Sequence, residues 1–179
     1  MMKVDKKSLF LSVAICLLPI LIGVYYYDVL PEQIAVHFNV SGEPDNFVSK
    51  TRAIIDLPIF FAIVQVIISL VVDFDKTPKK GALIAKGIIP LISVLVQGGI
   101  VAYALDNNFN VPQLTVFVIG IVLIILGNYL PKKEFWGKYN FNLFGLEKGV
   151  NEQKVIRAYA LYMTFSGVAI FISGFFSST

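Results

Sequence analysis

Five long apolar segments are the feature that most limits how this chain can fold. Each holds about 20 mostly apolar residues, the length that an α-helix needs to cross the roughly 30 Å hydrocarbon core of a bilayer. They lie at 8–27, 53–72, 87–105, 113–130 and 158–176. Only 15% of the 179 residues are charged, whereas a water-soluble domain has about 25%. The sequence therefore predicts an all-α integral membrane protein with a single membrane domain over residues 1–179, and it excludes a cytosolic enzyme, a disordered regulator and a secreted disulfide scaffold.

Basic residues are distributed unevenly among the segments that connect the spans. Short loops rich in Lys and Arg stay on the cytoplasmic side of a membrane. With five spans, the amino-terminal tail, the second loop and the fourth loop share one side, and together they carry 13 of the 15 basic residues. The segment 28–52 has four acidic and two basic residues and faces the other side. The sequence thus predicts a multi-pass protein whose N-terminus is inside and whose 28–52 loop is extracellular.

The extracellular loop has the pattern of a short strand followed by a turn. Apolar residues stand at every second position from 34 to 40, and His37 and Asn39 lie between them. A period of two is typical of a strand with one buried face. Turn-forming residues follow at 42–46. We therefore expect a short β-like segment against the outer helix ends, with His37 and Asn39 on the side away from its apolar face.

His37 is the only histidine in the chain, and imidazole is the side chain that ordinarily changes charge near neutral pH. With Glu32, Glu43 and Asp45 close in sequence, it could ligate a metal, act as a general base, contact a ligand, or serve as a structural imidazole bonded to a loop carboxylate or carbonyl. The spacing matches no zinc or calcium motif, so no metal or other cofactor is expected. Common enzyme motifs are absent as well. A small membrane enzyme or metal-dependent factor that uses His37 stays as an alternative to a non-enzymatic role.

The predicted cytoplasmic segment 131–157 mixes lysines with aromatic residues. Such a mixture suits the headgroup layer of an anionic inner leaflet. The alternative is a docking site for a cytoplasmic partner, as in an accessory subunit of a transporter or sensor. Nucleic acid is not an expected partner, because the basic patch is small and lies at the bilayer.

Few polar residues fall inside the spans. The amides of Gln65, Gln97 and Asn128 are expected to form hydrogen bonds between helices. No Asp, Glu or Lys falls at mid-depth in a span, which disfavours a proton-coupled transporter.

Two blocks of sequence resemble a known family. The first reads LPEQIAVHFN from Leu30 to Asn39 and continues with Gly42, Glu43, Asp45 and Lys50. The second reads GNYLPK over 127–132. In content and order these blocks resemble the signature of the SdpI family of bacterial membrane proteins. The chain departs from the family after Lys132, where a Gly-Ile-Arg type stretch is usual, and it has one further span where relatives often have two.

The resemblance implies an immunity and signalling role. The best-known member of the family protects a bacterium from its own secreted antimicrobial toxin and also sequesters a repressor at the membrane. By analogy, the chain would lie in a bacterial plasma membrane and give resistance to a secreted peptide. Its partners would be the peptide toxin or the membrane target of that toxin, membrane lipids, and a cytoplasmic regulator. The resemblance implies an outer ligand-binding set of His37, Asn39, Gly42, Glu43, Asp45 and Lys50, and a second motif of Gly127, Asn128, Pro131 and Lys132.

Overall fold

The computed structural model of the protein describes residues 4–39, 41–74, 79–132 and 152–176. All five helices within this part of the chain are long and apolar enough to cross a membrane. They are α1 (Lys6–Tyr25), α2 (Lys50–Phe74), α3 (Lys79–Leu105), α4 (Val111–Tyr129) and α5 (Glu152–Ser173). The strands β1 (Gln33–Phe38) and β2 (Pro44–Ser49) lie between α1 and α2. The predicted all-α membrane fold with a β-like segment between the first two helices is confirmed.

The helices begin before the apolar segments that predicted them, and the difference is largest for α3 and for α5, which begins at Glu152 rather than near residue 158. α2 begins at Lys50 rather than near residue 53, and α3 begins at Lys79, so that Lys86 lies in its second or third turn. The apolar segments mark only the part of each helix that must lie in hydrocarbon. Polar helix ends can extend into the headgroup layer, which is about 5–8 Å thick on each side of the core.

The first three helices pack against one another, and polar side chains join them. Gln97 Nε2 donates to the carbonyl oxygen of Ala53 on α2 at 2.9 Å, and Gln65 Nε2 donates to that of Lys86 on α3 at 3.0 Å. These bonds agree with the predicted role of the two amides. Asn128 differs, because it is exposed on the last turn of α4. At the hairpin end the apolar core is formed by Leu30, Ile34, Ala53, Ile54, Ile100 and Val101.

Helices α4 and α5 form a close pair. A Cβ atom built on Gly120 would lie 2.9 Å from the carbonyl oxygen of Gly167, and one built on Gly167 would lie 2.9 Å from that of Gly120. Only glycine at both positions allows the two backbones to approach this closely. The rings of Phe117 and Phe171 pack beside this crossing, with their centroids 5.1 Å apart.

The antiparallel hairpin of β1 and β2 has an irregular register. Gln33 is opposite Ser49 and His37 is opposite Asn46, with shifts on either side of His37. Such irregularities break the strict alternation of faces. Ala35, which the period-two pattern placed on the polar face, is buried together with Ile34, at 3% exposure. The residues 44–46, part of the predicted turn, belong to β2 instead.

A buried ion pair lies at the opposite end of the bundle. Lys86 Nζ on α3 is 2.6 Å from Asp73 Oδ1 on α2, and the two side chains are only 4% and 10% exposed. The other carboxylate oxygen of Asp73 accepts the backbone N–H of Asp5 at 3.0 Å. The pair therefore joins α2, α3 and the residue that precedes α1, close to the helix ends and not at mid-depth.

Candidate functional site

The β1–β2 hairpin is held firmly on the ends of α2 and α3. Ile34 of β1 is 1% exposed and belongs to the same apolar cluster as Ile54 and Ile100. Further along the strand, the Phe38 ring packs edge-on against Tyr103 of α3, with the centroids 4.9 Å apart. The apolar positions of β1 thus fix the hairpin, and its polar positions can be presented in a defined geometry.

Lys50 closes the base of the hairpin. Its ammonium lies 2.9 Å from a carboxylate oxygen of Glu32 and 4.6 Å from the centre of the Tyr27 ring, and its side chain is only 14% exposed. Its backbone N–H also donates to the carbonyl oxygen of Glu32 at 3.0 Å. Tyr27 is tied to α2 as well, because its hydroxyl lies 2.7 Å from Thr51 Oγ1. Of the predicted outer set, Lys50 is therefore a structural residue.

Asn39 and Gly42 build the hairpin turn. Asn39 Oδ1 accepts the backbone N–H groups of Ser41 and Glu43 at 2.9 and 3.0 Å. An Asn side chain that bonds to the backbone two residues ahead mimics a backbone turn. Gly42 has a φ of 80°, which L side chains rarely adopt. Asn39 Nδ2 also lies 3.3 Å from Glu43 Oε2, so the Glu43 carboxylate is held beside the turn.

Replacing Gly42 with Ala is expected to loosen the turn. A left-handed residue other than glycine costs about 1–2 kcal/mol, and the new Cβ would also lie 2.9 Å from Pro112 Cγ at the start of α4. A cost of about 1–2 kcal/mol corresponds to a factor of about 5–30 in an equilibrium. The backbone amide of Asn39 donates to the carbonyl oxygen of Glu43 across the turn. Hydrogen exchange at this amide should therefore speed up by the same factor. Ser41→Ala is the control, because only its backbone takes part in the turn. Equal exchange rates in both variants would contradict this role of Gly42.

His37 and Asp45 face each other across the two strands. His37 Nδ1 lies 2.5 Å from Asp45 Oδ1, and their side chains are 66% and 43% exposed. The carboxylate fixes the orientation of the imidazole ring, and Nε2 lies on the opposite side of the ring. Such a pair can offer a hydrogen bond or exchange a proton with a bound group. Among the predicted outer residues, this pair and Glu43 are the ones that the fold displays.

An apolar groove descends from the hairpin between α3 and α4. Its volume is about 620 Å³, and volumes of roughly 300–1,000 Å³ are usual for sites that bind small molecules. His37 and Asn39 line its upper end, and mainly aliphatic side chains line the rest. Thr115 and Ile119 of α4 belong to the lining and are exposed, so the groove is open on the α4 side. The groove was not predicted from the sequence. The aliphatic lining residues include Ile92, Val96, Ile100, Val118, Val122 and Leu123.

The second predicted motif lies at the other end of α4, about 26 Å from its start at 1.5 Å per residue. Gly127 packs against α5, since a Cβ there would lie 2.7 Å from the carbonyl oxygen of Ala160. Lys132 Nζ lies 4.2 Å from the centre of the Tyr129 ring and 3.4 Å from Asn128 Oδ1, and Pro131 is exposed. The two motifs therefore do not form one site. Most of the predicted cytoplasmic segment 131–157, from residue 133 to residue 151, lies outside the described residues.

No three His, Cys, Asp or Glu side chains come together to form a potential metal site within the described part of the chain. His37 has one carboxylate neighbour, Asp45.

Comparison with known protein families gives one match. Residues 14–62 match the family described as "Domain of unknown function (DUF1648)", a domain that is found in SdpI-like membrane proteins. The match includes most of α1, the whole hairpin and the first half of α2, so the outer motif lies inside it and the 127–132 motif outside it. No curated protein and no solved structure matches the chain. The chain is a multi-pass membrane protein, and the part of it that is similar to the DUF1648 family is centred on the hairpin.

Proposed function

We propose that this protein is an immunity protein of the bacterial plasma membrane, which gives resistance to a secreted antimicrobial peptide by binding it at the β1–β2 hairpin. The observation that carries this proposal is the rigidly supported hairpin, which displays Glu43 and the His37–Asp45 pair beside exposed apolar surface. Phe47 on β2, for example, is 51% exposed. The DUF1648 match and the resemblance to the SdpI family support the same role.

The distribution of charge supports an extracellular position for the hairpin. The opposite ends of the helices, with their connecting segments, hold 13 of the 15 basic residues, and such ends stay in the cytoplasm. A peptide secreted into the medium would then meet the hairpin before it reaches the hydrocarbon core. Binding at this level would keep the peptide from inserting.

The charge on the loop also indicates the kind of peptide. The segment 28–52 has two more acidic than basic residues, and both basic residues are already paired, Lys50 with Glu32 and Arg52 with Asp56. A peptide that carries basic and apolar side chains is complementary to this surface. Electrostatic attraction of this kind accelerates association and acts within about 8–10 Å at physiological ionic strength.

A preformed hairpin lowers the cost of binding. Ordering a flexible loop on association consumes part of the interaction energy. Here Lys50 fixes the base, Asn39 and Gly42 fix the turn, and Ile34 fixes the strand, so His37, Glu43 and Asp45 are already in place. These three residues are the ones that we propose contact the peptide.

Replacing either His37 or Asp45 with Ala should abolish most of the protection while leaving membrane insertion intact. A hydrogen bond to a charged group contributes about 1.5–3 kcal/mol, and 1.4 kcal/mol corresponds to a tenfold change in affinity. The peptide concentration that a sensitive bacterium survives should therefore fall at least tenfold when it expresses either variant. Candidate peptides come from the genes next to this reading frame.

Gln33→Ala is the matched control, because Gln33 is exposed on the same strand and lies away from the turn. It should protect as the natural protein does. Equal amounts of each variant in isolated membranes, measured by immunoblotting, would show that insertion is unaffected. Full protection by both His37→Ala and Asp45→Ala would mean that the hairpin does not contact the peptide through this pair.

A further inference from the structure

We infer that the groove between α3 and α4 binds one acyl chain of an outer-leaflet phospholipid whose headgroup carries an ammonium group, and that the acidic end of the hairpin selects this headgroup. The inference goes beyond the proposed function and does not rest on it. It is based on three properties of the groove, which are its depth, its volume and the charge at its upper end.

The depth of the groove corresponds to one leaflet. On α4 its lining runs from Val111, at the hairpin end, to Leu123, and twelve residues of helix rise about 18 Å. Half of the hydrocarbon core of a bilayer is about 15 Å thick. An acyl chain that hangs from the headgroup level beside His37 would therefore follow the groove for the full thickness of its leaflet.

The volume of the groove suits a single acyl chain. The groove has a volume of about 620 Å³, within the range of roughly 300–1,000 Å³ that is usual for sites that bind small molecules. A single flexible chain fits this space, and the aliphatic lining from α3 and α4 offers it only apolar contacts below the level of Thr115.

The charge at the upper end favours an ammonium group. Two lining residues there, His37 and Asn39, are each bonded to a carboxylate, Asp45 and Glu43 respectively. With a neutral imidazole the site carries two negative charges, which attract an ammonium and repel a headgroup of net negative charge. Charges interact more strongly at the edge of a low-dielectric region than in bulk water. In a neutral His37 ring whose Nδ1–H is donated to Asp45, Nε2 is a hydrogen-bond acceptor, which also suits an ammonium such as that of phosphatidylethanolamine.

Photo-crosslinking of the full chain in phosphatidylcholine nanodiscs tests the inference. Two probes carry the same diazirine-labelled acyl chain, one on phosphatidylethanolamine and one on phosphatidylglycerol, each in trace amounts. We expect the phosphatidylethanolamine probe to label the groove faces of α3 and α4 at least threefold more than the other probe does. Uniform labelling of all five helices would overturn the chain site, and equal or stronger labelling of the groove by phosphatidylglycerol would overturn the headgroup selection.

Two sets of variants test where the acyl chain binds and which residues select the headgroup. Thr115→Trp should fill the upper groove and reduce labelling at least threefold, whereas Ile63→Trp, at a position on α2 that is 57% exposed and outside the groove, should leave it unchanged. The double variant Glu43→Gln/Asp45→Asn should make the two probes label equally. Unchanged labelling in Thr115→Trp would refute the acyl-chain site. A persistent preference for the phosphatidylethanolamine probe in the double variant would refute the headgroup selection. Because the readout is lipid labelling and not survival, its failure is separate from a failure of the immunity proposal.

Discussion

Replacing Lys86 with Met is expected to lower the free energy of unfolding by about 3–5 kcal/mol, the usual cost of leaving one partner of a buried ion pair alone. The ammonium of Lys86 lies 2.6 Å from Asp73, and neither side chain is more than 10% exposed. Among the described residues, the Asp73 carboxylate would then keep only the backbone N–H of Asp5 as a partner. The free energy of unfolding can be measured by titrating the protein in mixed micelles with a denaturing detergent.

A double variant shows that the loss comes from the unpaired charge. Lys86→Met with Asp73→Leu removes both charges, and well-packed apolar replacements of a buried pair are often neutral or stabilising. We therefore expect the double variant to recover most of the stability. Arg52→Ala serves as the control for an exposed pair, since Arg52 and Asp56 are 68% and 57% exposed and such pairs contribute at most about 1 kcal/mol. A loss below 1 kcal/mol in Lys86→Met would mean that the pair is not buried in the membrane-embedded protein.

The size of this effect follows from what holds helices together in a bilayer. Lipid tails are as apolar as leucine, so there is little hydrophobic driving force between helices, and close packing and polar contacts specify the arrangement. Lys86 contributes twice to the α2–α3 contact, through its ammonium to Asp73 and through its carbonyl oxygen, which accepts from Gln65. One residue thus joins the two helices at two points.

Sequence periodicity predicted the spans and β1, because both signals are local. The helices had to be about 20 apolar residues long, and alternation marked the buried positions such as Ile34. The second strand was not predicted, since 44–49 reads PDNFVS, which combines turn-forming residues with little alternation. These residues become a strand because β1 offers hydrogen-bonding partners and α2 begins at Lys50.

The buried ion pair was missed for a related reason. Charged residues limit the apolar spans, so the sequence alone places Asp73 and Lys86 in a loop. Their burial depends on the antiparallel packing of α2 and α3, which brings together positions 13 residues apart. A charge in the last turn of one helix, followed by an opposite charge about two turns inside the next helix, is a signal that could have suggested the pair.

The candidate site, too, could be predicted only in part from the sequence. The outer motif was predicted as one ligand-binding set, but the fold gives its members different tasks: Lys50 supports the base and Gly42 the turn, whereas His37 and Asp45 are displayed. The groove beneath them arises because α4 packs mainly against α5 and leaves space beside α3. That arrangement of helices has no counterpart in any local pattern of residues.

The second large effect is expected at the crossing of α4 and α5. Gly120→Ala should lower the free energy of unfolding by about 2–3 kcal/mol, within the range for overpacked interiors. The added Cβ would lie 2.9 Å from the Gly167 carbonyl oxygen and 2.9 Å from the Phe171 backbone nitrogen. Both are backbone atoms of α5, so no side-chain rotation can relieve the contact and the helices must move apart.

Gly98→Ala on α3 is the matched control, because nothing lies within 4 Å of a Cβ built there. The same substitution should then be neutral or should stabilise the helix by up to about 1 kcal/mol, the difference in helix propensity between Gly and Ala. The same micelle titration measures both variants. Equal effects would mean that α4 and α5 are not in backbone contact at Gly120.

Gly127 extends this test to the second motif. It lies seven residues after Gly120, on the same face of α4, and its Cβ would lie 2.7 Å from both the Ala160 carbonyl oxygen and the Thr164 backbone nitrogen. Gly127→Ala should therefore destabilise the protein as Gly120→Ala does. If it does so while the survival of peptide-treated cells falls only in proportion to the amount of folded protein, the glycine of the motif is explained by helix packing alone. A loss of protection at full stability would instead assign Gly127 a role in function.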